Sequence, residues 1–131
     1  VRFNVSDGGL SITKAIGSID PNKSPDLINF TTIDNDANKK IKLGADAYSK
    51  EINISNVTLV ADANVTLTAS GIGTKLLKPT FDVGANVLNF AGSVVHDDPA
   101  GAVTINTTYD SKKFKAIFLC NKYERKGDGR D

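Results

Sequence analysis

What the chain lacks narrows its class first. It contains no methionine, one cysteine, one histidine and four prolines. A lone cysteine, Cys120, cannot close an internal disulfide, which excludes a small secreted scaffold stapled by cystines. With no His or acid beside it, Cys120 reads as a small buried hydrophobe rather than a nucleophile. Cysteine poverty suits a cytosolic protein, and equally one that must cross a membrane unfolded. No apolar run approaches the roughly 20 residues of a membrane-spanning helix; the longest is Ala116-Ile117-Phe118-Leu119-Cys120. Val1 to Ser6 holds neither an apolar signal-peptide core nor a small-residue cleavage site. A chain without any methionine is either a fragment of a longer polypeptide, which is the expectation here, or one from which an initiator Met was removed ahead of Val1.

Charge of one sign is scarce overall but uneven along the chain. Residues 1–111 carry 9 basic and 12 acidic side chains, a balance of −3, whereas residues 112–131 carry 7 and 3, a balance of +4. The acidic body repels phosphate backbones, so no nucleic-acid partner is expected for it. The division also predicts two parts, a β-rich domain over 1–111 and a basic cap or tail over 112–131. In the second part Phe114, Ile117, Phe118 and Leu119 offer an apolar cap.

Long helix formers in amphipathic runs are nearly absent. Val, Ile and Thr abound instead, and their branched Cβ atoms pack well on a pleated surface. Asn, Asp and Gly supply turns. Period-two alternation is the main signal. Val57, Leu59, Ala61, Ala63, Val65, Leu67 and Ala69 fall on one face, with mostly hydroxyl and amide residues on the other. A single strand of that length exceeds the usual five or six residues, so a bend is expected near Asp62. Ile28/Phe30, Ile41/Leu43, Ile52/Ile54, Phe81/Val83/Ala85/Val87 and Val103/Ile105/Thr107/Tyr109 repeat the pattern. Ser11 to Ile19 reads as a short strand. Residues 20–26, 34–40 and 96–101 read as loops.

The strands also recur at a longer interval. Ile28/Phe30 and Ile52/Ile54 are 24 residues apart, as are Ile41/Leu43 and Val65/Leu67, and Ala63-Asn64-Val65 returns 22 later as Ala85-Asn86-Val87. A coil of a parallel β-helix takes about 20–25 residues, and stacking buries its inward faces. The expected fold is all-β: a right-handed parallel β-helix of about four or five coils, with Ile41 stacked on Val65 and Leu43 on Leu67. An antiparallel β-sandwich is the alternative.

The candidate chemical motifs do not reach a working constellation. Asp34-x-Asp36 opens like a calcium loop, but Lys39 and Ala45 stand where Gly and an acid are required. His96-Asp97-Asp98 has no second His to complete a metal site and reads as an exposed turn before Pro99 and Gly101. Gly71-Ile72-Gly73-Thr74-Lys75 lacks phosphate-loop spacing and reads as a strand connection. Seven Asn-x-Ser/Thr sequons, at Asn4, Asn22, Asn29, Asn53, Asn56, Asn64 and Asn106, are what an Asn- and Thr-rich composition produces. No catalytic, cofactor-binding or metal-ligating residue is assigned, and no cofactor is expected.

Three segments carry a family resemblance: Asn64-Val65-Thr66-Leu67-Thr68-Ala69-Ser70-Gly71, Asp82 to Gly92, and Ala102 to Asp110. Over roughly residues 3–110 the chain resembles the passenger domain of bacterial autotransporters, closest in style to rickettsial surface antigens. The resemblance implies a β-helix on the cell surface of an outer-membrane protein, or secreted as part of a longer precursor. It implies adhesion to a host-cell surface or extracellular matrix, without catalysis. The translocator β-barrel of that family is absent, no segment spans the membrane, and no export signal is visible. The matching segments are scaffold, so no site residues carry over. Two other readings stand beside this one: a polysaccharide-active β-helix enzyme, which needs Asp, Arg or Lys clustered on successive coils, and a nonfunctional remnant of a split or truncated gene.

Overall fold

The computed structural model describes residues 1–32, 38–96, 103–107 and 123–125. Among these residues twelve strands run in the order β1 (Arg2–Val5), β2 (Leu10–Ile12), β3 (Leu27–Thr32), β4 (Lys40–Leu43), β5 (Ala47–Ser55), β6 (Thr58–Ala61), β7 (Val65–Leu77), β8 (Thr80–Gly84), β9 (Leu88–Ala91), β10 (Val94–His96), β11 (Thr104–Thr107) and β12 (Tyr123–Arg125). One 3₁₀ turn, Pro21–Lys23, interrupts them, its first turn closed by Asp20, whose side chain accepts from the Asn22 N–H. Every strand pair is parallel, which excludes the sandwich. No helix among the described residues is long and apolar enough to cross a membrane.

Sheet topology shows a coiled path. One sheet orders as β1-β3-β5-β7-β10-β12 with β9 also on β7, and the other as β11-β8-β6-β4-β2. β5 and β7 are long because each serves two strips. Ala47–Ser49 pairs with Leu67–Ala69, and Val65–Thr68 pairs in turn with β9; Glu51–Ser55 pairs with Gly73–Leu77, of which Thr74–Leu76 pairs with β10. The chain thus winds through three strips of parallel strands per coil, with coils opening at β1, β3, mid-β5, mid-β7 and β10. This is the parallel β-helix arrangement expected from the sequence. β12 lies in the range assigned to the basic tail and pairs with β10. The apolar run Phe114 to Leu119 lies outside the described residues.

The core forms because alternation places one apolar residue in two inside, and parallel register stacks it on the next coil. Phe3, Phe30, Ile54, Leu76 and His96 form one column; Ile41, Leu59, Phe81 and Ile105 form another. Phe30, Ile54, Leu76, Ile41 and Leu59 are fully buried. Phe3 stacks on Phe30 with ring centroids 5.5 Å apart, and Phe81 meets Phe90 edge-on at 5.4 Å, geometries that add to simple burial. Val57, Leu59, Ala61, Val65, Leu67 and Ala69 all point inward, as alternation requires. The expected bend falls at residues 62–64, where the chain passes from one sheet to the other.

Two expectations about register are corrected. Ile28 and Phe30 do lie on Ile52 and Ile54, 24 residues on, but Ile41 lies on Leu59 and Leu43 on Ala61 rather than on Val65 and Leu67. The connection from β3 to β4 spans residues 33–39, whereas that from β5 to β6 is only Asn56 and Val57. The longer corner delays β4 and shortens the interval to its partner to 18. Ala85 and Val87 point outward, Val87 being 41% exposed, while Leu88 and Phe90 are buried. A turn closed by the Asn86 N–H to the Val83 carbonyl (3.0 Å) uses the intervening residues and resets the phase. Finally, of Ser11 to Ile19 only Ser11 and Ile12 belong to a strand, and Ile19 is 86% exposed.

Corners are held by side chains where the ladder lapses. The Asp46 carboxylate accepts from the Thr66 N–H at 2.8 Å, and the Asn64 amide oxygen from the Val87 N–H at 2.9 Å. Asn86 Nδ2 donates to the Ala61 carbonyl at 2.8 Å. Asn56 and Lys78 occupy the same corner in successive coils with φ of 50° and 49°. Asn tolerates this left-handed conformation far better than Lys.

Five variants have stability outcomes expected in urea titrations. Leu67→Ala should cost about 2–5 kcal/mol as a buried deletion, and the outward Thr66→Ala far less. Lys78→Asn should stabilise by up to about 1 kcal/mol by relieving the left-handed backbone. Gly84→Ala (φ 58°, open space around it) should cost about 1 kcal/mol. Gly92→Ala should cost more, because at φ 102° its Cβ would also run into the Ala69 carbonyl.

Candidate functional site

Several motifs fall differently from their sequence reading. His96 is not in an exposed turn: it is the last residue of β10 and fully buried, in register with Leu76 of the Phe3–Leu76 column. Its strand phase, shared with Val94, turns it inward. Gly71 to Lys75 is not a connection but the middle of β7, where Ser70, Gly71 and Ile72 bulge outward between the two strips. Asp34, Asp36, Asp97, Asp98 and Cys120 lie outside the described residues. Among the described residues no group of three or more His, Cys, Asp or Glu could hold a metal ion.

The sequons acquire a structural origin. Asn29-Phe30-Thr31 and Asn53-Ile54-Ser55 sit in adjacent strands in register, with Phe30 and Ile54 buried and the Asn residues on the outer face. A strand that alternates inward apolar with outward Asn and Thr spells Asn-x-Thr without any modification being implied.

Among the described residues, two concave surfaces on the solenoid bear on function. One, about 470 Å³, lies beside β2 and β4 and is lined by Lys39, Lys40, Lys42, Asp7 and the Gly8-Gly9 backbone. Lys39 is already bound to Asp7 at 2.9 Å, and the surface adjoins residues 33–37, which are outside those described. The other, about 330 Å³, lies on the outer face of β1, β3, β5 and β7. Its floor is a row of side chains from four successive coils: Arg2 on Asn29, Asn29 on Asn53, and Asn53 on Lys75. Thr31 and Ser55 line it two residues further along their strands, and no carboxylate lines it. Glu51 stands outside the lining and pairs with Lys75 at 3.5 Å. The buried Asn53 Oδ1 has no hydrogen-bond partner among the described residues.

This row escaped sequence reasoning. The neighbours Asn29 and Asn53 follow from the Ile28/Ile52 repeat, but Arg2 and Lys75 sit 27 and 22 residues from them, intervals set by corner lengths. The chain matches no family model, and no curated protein or solved structure matches it significantly.

One buried polar atom belongs to the scaffold rather than to this face. Thr74 Oγ1 is fully buried without a hydrogen-bond partner among the described residues, in the Ile28–Ile52–Thr74–Val94 column. An unsatisfied hydroxyl costs about 1–3 kcal/mol. Thr74→Val keeps the shape and removes that cost, so it should raise the thermal midpoint; a lower midpoint would show that the hydroxyl is satisfied in solution.

Proposed function

We propose that this chain is a non-catalytic structural and adhesive segment displayed on a cell surface, as in an autotransporter passenger. The observation that carries the reading is the regular stacking of the outer faces. In-register stacking turns outward positions into rows in which amides and hydroxyls outnumber acids, such as Asn29 and Asn53 between Arg2 and Lys75 on one sheet, and Thr80 beside Thr104 on the other. A polysaccharide-cleaving site would need acids on successive coils, whereas Asp82 stands between Val60 and Asn106. A rigid solenoid with shallow faces suits contact over area better than turnover of a bound molecule.

Display is tested on cells of the source organism with an antibody against residues 1–111. Labelling of intact cells, removed by added protease, is the expected result. Labelling only after permeabilisation would overturn surface display. Polysaccharide substrates incubated with the purified chain should show no new reducing ends.

A further inference from the structure

At the N-terminal end of the solenoid we infer a self-association surface: the free edge of β1 pairs antiparallel with the same edge of a second copy of this chain, about a twofold axis at Phe3. The inference goes beyond the surface-display reading and does not draw on it.

The first coil is open where the later ones are covered. β1 and β2 end the two sheets, and among the described residues each pairs on one side only. Phe3, Ile12 and Ile16 pack against the core but are only partly buried. Phe30, Leu43 and Ala47, on which they stack in the second coil, are buried. Towards the other end Leu88, Phe90 and Val94 are buried as well. One open end suits an end-to-end pair, whereas a head-to-tail stack needs two. The edge also lacks the usual devices against pairing. β1 holds no Pro, no Lys and no inward charge, and its register has no bulge.

The residues of that edge select a second copy as its occupant. The Val1 amino group donates to the Leu27 carbonyl at 2.8 Å, and the Val1 carbonyl accepts from the Asn29 N–H at 2.9 Å. Backbone groups of successive residues turn to opposite edges, so Phe3 and Val5 also bond to β3, while Arg2 and Asn4 present N–H and C=O to the open edge. An axis at Phe3 sets Arg2 opposite the partner's Asn4 and Asn4 opposite the partner's Arg2. Both pairs have free groups and exchange two hydrogen bonds each. On the inner face Phe3 meets the partner's Phe3 and Val1 meets the partner's Val5, because the apolar positions are symmetric about Phe3. On the outer face Arg2 meets an amide. A slip of one residue would set Phe3 beside the partner's Asn4 on one face, and an axis at Arg2 would oppose two like charges. The rotation also interchanges the other two strips of the coil, which brings Ile12 towards the partner's Ile16.

The test is sedimentation velocity on the full chain from about 1 µM to about 500 µM. An interface one coil across is small, so a dimer dissociating in the micromolar range is expected, with no larger species. Asn4→Pro removes an intermolecular donor but no bond to β3, so it should abolish the dimer and keep the melting midpoint of the dilute protein. Asn4→Glu faces the partner's Arg2 twice and should tighten the dimer about fivefold; Asn4→Arg should loosen it by a similar factor. These opposite signs decide the matter if the proline disturbs the first coil. In amide exchange, the N–H groups of Arg2 and Asn4 should gain protection at high protein concentration, while those of Phe3 and Val5 are protected alike at low and high. A monomer throughout, growth beyond a dimer, charge variants that do not move the dissociation constant in opposite directions, or exchange at Arg2 and Asn4 that does not slow would overturn the proposal.

Discussion

The structure depends on parallel register between coils. Parallel pairing spaces its hydrogen bonds evenly and keeps each Cβ above the Cβ of the strand below. An inward residue in one coil is therefore placed on an inward residue in the next, and the core becomes a set of columns such as Ile41–Leu59–Phe81–Ile105. Long-range burial follows from a local rule applied repeatedly. The same register orders the outer faces, because whatever a column does inside, the neighbouring position does outside.

Variation is confined to the corners. Strand pairing tolerates little change without exposing a column, since a one-residue slip inverts the faces. The connections absorb the differences instead: residues 33–39 in one coil, Asn56 and Val57 in the next. Each corner then needs its own solution for backbone groups that have left the ladder. Asp46, Asn64 and Asn86 supply side-chain partners across coils, and Asn56 and Lys78 adopt the left-handed backbone that a two-residue corner requires. The bulge at Ser70 to Ile72 is the same device inside a strand, letting β7 serve two strips.

For recognition, this arrangement makes a row cheaper to assemble than a pocket. Arg2, Asn29, Asn53 and Lys75 come from four coils and share no local motif, yet register alone sets them side by side. Such a surface repeats at the strand interval and has little depth. The surface on the other sheet, with Lys40 and Lys42, shows how the same scaffold carries different chemistry on different strips.

Alternation of Val, Ile and Leu with Thr and Asn was enough to determine the β class, the inward face from Val57 to Ala69 and the coil-length repeat linking Ile28 to Ile52. Those features are local: the period of the pleat and the interval between apolar pairs are written in the order of residues. What the sequence could not determine was anything that depends on corner length. The partner of Ile41, the outward turn of Ala85 and Val87, the burial of His96 and the meeting of Arg2 with Lys75 were decided by how many residues each corner uses before the next strand begins. A corner has no hydrophobic period to read. Its length is selected by whether the following strand can bring its apolar residues onto the column below, a condition that exists only once the coils have stacked.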